Sequence, residues 1–393
     1  MTTADLVCLL LVAPLLIATT VFVVEAGLGA KPRRNPPRVD AGFDPRSAVV
    51  LVPAHDEERG IAAVLDAMRA GAPAGMDILV VADNCTDDTA AVARATGVRV
   101  IERHDPVNRG KGFALDHGRA ALAADPPACV IVVDADTVPA PGALASVAAR
   151  AIASGRPVQG AYTIALAETD ASTARFSAAA FYVKNAVRQL GAARLGAPAL
   201  LTGSGMAFPW DIFAGLPLAT GHVAEDLMLG VRAALDDRAP LFDPGAVVLG
   251  SASNDRGTAV QRRRWESGFF QVAGDHAGTL IGRGMLRGRP AMVWLGLHLL
   301  TPPLVPLLAL DVFAILALAG VALVAGSGLV ALGLLVALTA LAMLLVVVSL
   351  LAHGQGAMLQ GWRDVPRYVL WKLGLSVAAM VRRERRWIRT DRE

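Results

Sequence analysis

Cys129-Val130-Ile131-Val132-Val133-Asp134-Ala135-Asp136 sets two carboxylates directly after five apolar residues. A short run this apolar and this rich in β-branched side chains predicts a strand buried on both faces. Ala48-Val49-Val50-Leu51-Val52 and Ile78-Leu79-Val80-Val81 share the pattern, and each leads into a polar loop. Ala-rich stretches of helical character alternate with these runs as far as Gly268. Buried strands alternating with helices predict an α/β fold, a doubly wound, Rossmann-like sheet of parallel strands. Its ligand site is expected at the carboxyl ends of the strands. The two-residue period of a strand sends Asp134 and Asp136 to one side, as a divalent cation that needs oxygen donors requires.

Some chemistries are excluded early. The first strand is followed by Pro53-Ala54-His55-Asp56-Glu57-Glu58, with no glycine-rich turn, so neither a dinucleotide fingerprint nor a phosphate loop stands where it would have to. Cys8, Cys85 and Cys129 are too few and too scattered in sequence for a disulfide framework or a zinc motif, which fits a reducing compartment.

The 393 residues are 54% hydrophobic, more than an ordinary soluble enzyme carries, and the excess lies at the two ends. Leu6–Val24 holds no charge and matches the roughly 20 residues of a spanning helix. A cleaved signal is the rival reading, opposed by Asp5 and by the lack of Lys or Arg ahead of the apolar run. Lys31, Arg33, Arg34 and Arg38 follow it, so the positive-inside bias puts the next domain in the cytoplasm. Between Ala291 and Ala352 only Asp311 is charged, which predicts two further spans near 304–325 and 329–352 with a turn at Gly326-Ser327-Gly328. The tail from Arg363 to Glu393 mixes tryptophans with arginines and reads as an amphipathic helix on the inner leaflet, a short crossing over Val365–Val381 being the alternative. The net charge of +3 comes from these flanks and does not indicate a nucleic-acid partner.

Four separated motifs then fall in order: Asp83, Asp134-Ala135-Asp136, Glu225-Asp226 and Gln261-Arg262-Arg263-Arg264-Trp265. Each alone has a bland reading. Asp83 could belong to a helix-capping turn, the acids at 225–226 suit a helix first turn, and the basic string suits a membrane-proximal helix. Together they resemble the signature of inverting glycosyltransferase family 2, the family of cellulose, chitin and hyaluronan synthases, over about residues 48 to 268.

The resemblance implies a GT-A catalytic domain over 45–275, between an amino-terminal transmembrane helix at 1–28 and, in turn, interfacial helices at 276–303, two transmembrane helices at 304–352 and a basic amphipathic segment at 353–393. It implies a UDP-sugar donor bound by Pro53, Ala54, Glu57, Asp83, Lys111, Asp134, Gln261, Arg264 and Trp265. It also implies Mg2+ or Mn2+ on Asp136 with Asp134, and Asp226 as the general base, Glu225 supporting it. Ala224 stands where the family often has Thr. The expected setting is the bacterial inner membrane with the catalytic domain cytoplasmic, the acceptor a polysaccharide or a lipid-linked molecule, and polysaccharide-export proteins as further partners. A catalytically silent sugar-nucleotide sensor or assembly scaffold is the alternative, opposed by the presence of both Asp136 and Asp226.

Overall fold

The computed structural model describes residues 2–33, 42–167, 171–222, 224–250 and 255–381, without the side chains of 255–264 and 377–381. Two compact units divide the described residues: those up to Pro32, those from Ala167 to Ala197 and those from Phe270 onward in one, those between Arg33 and Leu166 and between Pro198 and Phe269 in the other.

The second unit holds one mixed sheet. Its strands are β1 (Ala48–Ala54), β2 (Asp77–Asp83), β3 (Arg99–Arg103), β4 (Cys129–Val132), β5 (Thr137–Pro139), β6 (Val158–Ile164), β7 (Met206–Pro209) and β8 (Leu241–Gly250). Their order is β3-β2-β1-β4-β7-β6-β8-β5. The β1, β2, β3 and β4 ladders are parallel, as the apolar runs predict. Beyond β4 the expectation of parallel strands holds for β6 with β8 but fails at β7, which runs antiparallel to both β4 and β6, and at β5, antiparallel to β8. A parallel strand needs a crossover that returns the chain to the same end of the sheet. The segment after β6 leaves the sheet for the other unit instead, and the chain re-enters as β7 through the loop at Gly203 and Gly205.

Helices cover both faces. Ile61, Leu65 and Met68 of the Ile61–Gly71 helix pack with Leu144 and Val147 of Ala143–Ser154 against one side of β1, β2 and β4. Leu115 and Leu122 of Lys111–Leu122, Phe213 and Leu229 fill the other. The exposed edge strand β3 carries Arg99, Glu102 and Arg103, charges that discourage pairing with another chain.

The first unit is helical. Three of its helices, Thr3–Gly29, Leu304–Ala325 and Leu329–Ala352, are long and apolar enough to cross a membrane. Gly326 and Gly328 between the last two adopt positive φ (62° and 85°), the left-handed turn that glycine allows without strain. From the middle of the catalytic sequence, Ser172–Tyr182 continues through a π-helical turn, Val183–Arg188, into Gln189–Arg194. There Arg188 Nε donates to Glu25 Oε2 at 2.7 Å, while Trp294 Nε1 and His298 Nδ1 lie 2.9 and 2.7 Å from Glu25 Oε1. The Glu25 carboxylate is fully buried, so all its partners come from protein. The Asp311 carboxylate, likewise buried, has Thr19 Oγ1 at 2.9 Å and Thr339 Oγ1 at 3.2 Å, which links the three long helices. Tyr368 of the Val365–Val381 helix meets Phe176 with ring centroids 5.7 Å apart and ring planes tilted by 53°. Arg34, Arg38 and the arginines from 382 onward lie outside the described residues.

Candidate active site

The parallel arrangement of β2, β1 and β4 brings Asp83, Pro53-Ala54 and Asp134 to one edge of the sheet. Asp134 and Asp136 are both partly exposed with Ala135 buried between them, but they lie past the end of β4 in the turn that leads to β5, where the two-residue strand period that the sequence predicts does not apply.

Lys111 opens the Lys111–Leu122 helix and lies across the site. Its Nζ is 2.5 Å from Asp134 Oδ1 and donates to the Gly203 carbonyl at 2.5 Å. Burial alone would pull the ammonium below its ordinary pKa, but Asp134, Glu225 and Asp226 outweigh it and hold the group above. The family resemblance assigns this cation to the donor, and the Asp134 carboxylate occupies one side of it.

Gly203 has φ +92°, and a Cβ there would lie 3.2 Å from Asp226 Oδ2, 3.5 Å from Lys111 Nζ and 3.8 Å from Asp134 Oδ2. Two acids and one cation that are far apart in sequence therefore converge on one glycine. Its loop is pinned from below. Gln159, fully buried in β6, accepts from Thr202 N at 2.9 Å and donates to the Ser204 carbonyl at 2.9 Å, while Ser204 Oγ accepts from Asp134 N at 3.1 Å.

Asp226 follows Glu225 in the first turn of the Glu225–Leu235 helix, and its Oδ1 accepts from Leu227 N at 2.8 Å. Desolvation of Glu225, reinforced by the adjacent Asp226 carboxylate and opposed by Lys111, pushes its pKa up to about 7. The Asp255–Leu286 helix approaches this pair so closely that a Cβ on Gly268 would meet Ala224 Cβ at 2.6 Å. Ala224 thus has a packing reason: a larger residue would meet that helix. One turn earlier on the same helix stands Trp265, partly exposed. The side chains of Gln261 and Arg264 lie outside the described residues.

At the β1 and β2 ends, Asp83 is buried and paired. Its Oδ1 accepts from Arg103 Nη1 at 2.7 Å and from Asn84 Nδ2 at 2.9 Å. Arg103 in turn reaches Asp105 and the Asn108 carbonyl, and lies 5.5 Å over the Phe113 ring. His55 Nδ1 lies 2.7 Å from the Asp83 carbonyl oxygen, and Glu57 N donates to Thr89 Oγ1 at 2.7 Å. Arg103 and Gln159 escape sequence reasoning. The former is placed only by the β2/β3 register, which sets it opposite Asp83; the one visible signal for the latter is an amide among apolar strand residues.

Residues 45–268 match the family described as Glycosyltransferase like family 2. The chain is a family 2 glycosyltransferase. It is 37% identical over 99 residues to glucosyl-3-phosphoglycerate synthase of Mycolicibacterium paratuberculosis, a match covering 24% of this chain and 29% of that protein. A glycosyltransferase of Mycobacterium bovis is 42% identical over 90 residues, covering 23% of this chain and 37% of its own length. The matched regions thus span only about a third of these relatives. Among solved structures, a mannosyltransferase from Pyrobaculum calidifontis, in complex with GDP-Man and Mn2+, superposes with a TM-score of 0.54 at 20% identity over 96% of this chain and 99% of that one. That likeness establishes the GT-A fold of the glycosyltransferase.

Proposed function

We propose that this family 2 glycosyltransferase moves a sugar from a UDP-sugar to a polysaccharide or lipid-linked acceptor at the cytoplasmic face of the bacterial inner membrane, and inverts the donor's anomeric configuration to give a β-linkage. The observation that carries the reading is the convergence of Asp226, Lys111 and Asp134 on Gly203, which sets a candidate base beside candidate ligands for the leaving diphosphate. Asp226 takes the proton from the acceptor hydroxyl as its oxygen attacks the anomeric carbon. Direct in-line displacement needs no covalent sugar intermediate, so one base suffices.

Asp136 would hold Mg2+ or Mn2+ together with Asp134. The oxygen donors suit such hard cations, and both residues are partly exposed just past the end of β4. When bound, the ion offsets charge on the departing UDP. Lys111 orients Asp134 through their 2.5 Å contact. Pro53, Ala54, Glu57 and Asp83 line the nucleoside end, with Arg103 fixing the rotamer of Asp83. Trp265 offers a flat apolar face to a sugar ring, and Gln261 and Arg264 complete the donor site. The three long apolar helices cross the membrane, and Lys31 and Arg33 mark the cytoplasmic end of the first.

The test is nucleotide release by the full-length protein in nanodiscs with Mn2+ or Mg2+, across UDP-sugars and with GDP-mannose included. Release with one or two UDP-sugars, lost with chelator and in Asp226→Asn while UDP still binds, is the expected result. Normal rates in Asp226→Asn would remove the base assignment. Release only from GDP-mannose would replace the donor, and UDP binding without turnover on any acceptor would favour a silent sensor.

A further inference from the structure

The fold joins three residues that the transfer reaction leaves unused. His55 and Asp56 lie in the loop after β1, and Cys85 in the loop after β2. One ligand atom from each, a ring nitrogen, a carboxylate oxygen and the thiol sulfur, lies within 4.8 Å of the other two. Sequence spacing gives no hint of this, because Cys85 is about 30 residues from the other two and has no cysteine close by. Adjacency of β1 and β2 creates the group.

We propose that His55, Asp56 and Cys85 form a binding site for Zn2+, separate from the Asp134-Ala135-Asp136 motif. The ligand set is one that zinc takes, with a fourth position left to water. Magnesium and manganese favour oxygen donors and would prefer Asp136 and Asp134.

The outer contacts match those of a prepared site. His55 Nδ1 lies 2.7 Å from the Asp83 carbonyl oxygen. A carbonyl only accepts, so Nδ1 carries the proton of this contact and Nε2 is the nitrogen that would ligate. A ligating histidine is oriented by such a contact of its other nitrogen. Asp56 Oδ1 accepts from Thr86 N at 2.6 Å, which turns Oδ2 to within 3.6 Å of His55 Nε2. Asp56 adopts a positive φ of 53°, costly for a residue with a side chain and typical of functional positions. The thiol of Cys85 points back toward the same strand end, with Sγ 3.6 Å from the Ala54 carbonyl oxygen. Acidic side chains at Glu57, Glu58, Asp87 and Asp88 add negative charge around the loops, which favours a dication.

Binding balances simply. The metal forms a bond to the Cys85 sulfur, the thiol proton passes to the buffer, and no electrons move, so affinity rises with pH as the thiol deprotonates. Burial pushes the Cys85 thiol above its ordinary pKa. If these loops hold the nucleoside, a consequence that rests on the donor reading above, zinc at micromolar levels raises the donor KM.

Cobalt(II) is the probe, added without nucleotide to full-length protein in detergent. One equivalent is expected to give a thiolate-to-cobalt charge-transfer band that zinc abolishes. Cys85→Ser should lose the band, and His55→Gln and Asp56→Asn should each weaken cobalt binding by at least about tenfold, with metal-free thermal unfolding showing that the variants are folded. Asp136→Asn should retain the band. The proposal is overturned by no band at millimolar cobalt, by a band that survives Cys85→Ser, or by affinity indifferent to His55 and Asp56. Because the readout needs no sugar nucleotide, failure of the donor reading would leave it intact.

Discussion

Lys111 Nζ and Asp134 Oδ1 are 2.5 Å apart, so this cation is paired with one member of the two-aspartate motif. Both side chains are partly exposed, at 20% and 28%, which moderates the strength of the pair without abolishing it. Asp134 is thus paired with Lys111, while Asp136 accepts from Thr137 Oγ1 at 3.2 Å.

Lys111→Met is expected to slow transfer about 10- to 100-fold, a barrier increase of about 1.4–2.8 kcal/mol. It should also shift the Mn2+ titration of nucleotide release to lower metal, because Asp134 loses its competitor. Unchanged rate and unchanged metal midpoint would show that the ion pair is incidental.

Glu225 gives a pH signature. Its folded pKa of about 7 lies above the ordinary 4.5, so between those values the folded protein holds a proton that the unfolded chain has released. Stability contributed by that proton is complete below the unfolded value, falls as pH rises, and levels off above the folded value. Glu225→Gln should flatten this slope and be more stable than the parent above neutrality by about 1–3 kcal/mol. Thermal unfolding in detergent from pH 4 to 9 measures it, and parallel curves for the two proteins would refute the assignment.

The contact between Ala224 and Gly268 predicts a compensated pair. Gly268→Ala places a Cβ 2.6 Å from Ala224 Cβ, an overpacking expected to cost about 1–3 kcal/mol and to lower transfer by displacing Asp226. Ala224→Gly in the same chain should restore much of both. Additive losses in the double variant would mean that the two positions do not touch in solution.

In the helical unit, Glu25→Gln leaves the buried Arg188 without its counter-charge and should destabilise by about 3–5 kcal/mol. Glu25→Leu with Arg188→Met should recover most of that, since an apolar pair carries no desolvation penalty. Melting temperatures in one detergent provide the comparison, and a fully stable Glu25→Gln would show that the cluster contributes little.

How much of this was readable beforehand depended on the physical signal each residue leaves. Strands β1, β2 and β4 are buried on both faces, so their apolar runs announce them without an alignment, and the carboxylates after β4 inherit their placement. Strand β7 is only Met206–Pro209, too short to show a period, and its direction follows from where the chain has been rather than from its composition. Arg103 and Asp83 meet through sheet register, and Cys85 and His55 through strand adjacency, neither of which linear spacing encodes. Ser172–Arg194 is an Ala-rich helical stretch that reads equally well as a helix laid on the sheet; only its packing, with Arg188 on Glu25, assigns it elsewhere.

That assignment bears on how the protein can be cut. The segment Ala167–Ala197 is flanked in the chain by β6 and β7 yet belongs with the apolar helices. Within that unit it is fitted so tightly that a Cβ on Gly191 would meet the Glu25 backbone oxygen at 1.9 Å. Trimming residues from either terminus would therefore strip this segment of its neighbours while leaving it tethered in the middle of the catalytic sequence, its Phe176, Phe181 and Val187 newly open to water. A water-soluble catalytic fragment calls for an internal deletion as well, with a short polar link rejoining β6 to the loop before β7.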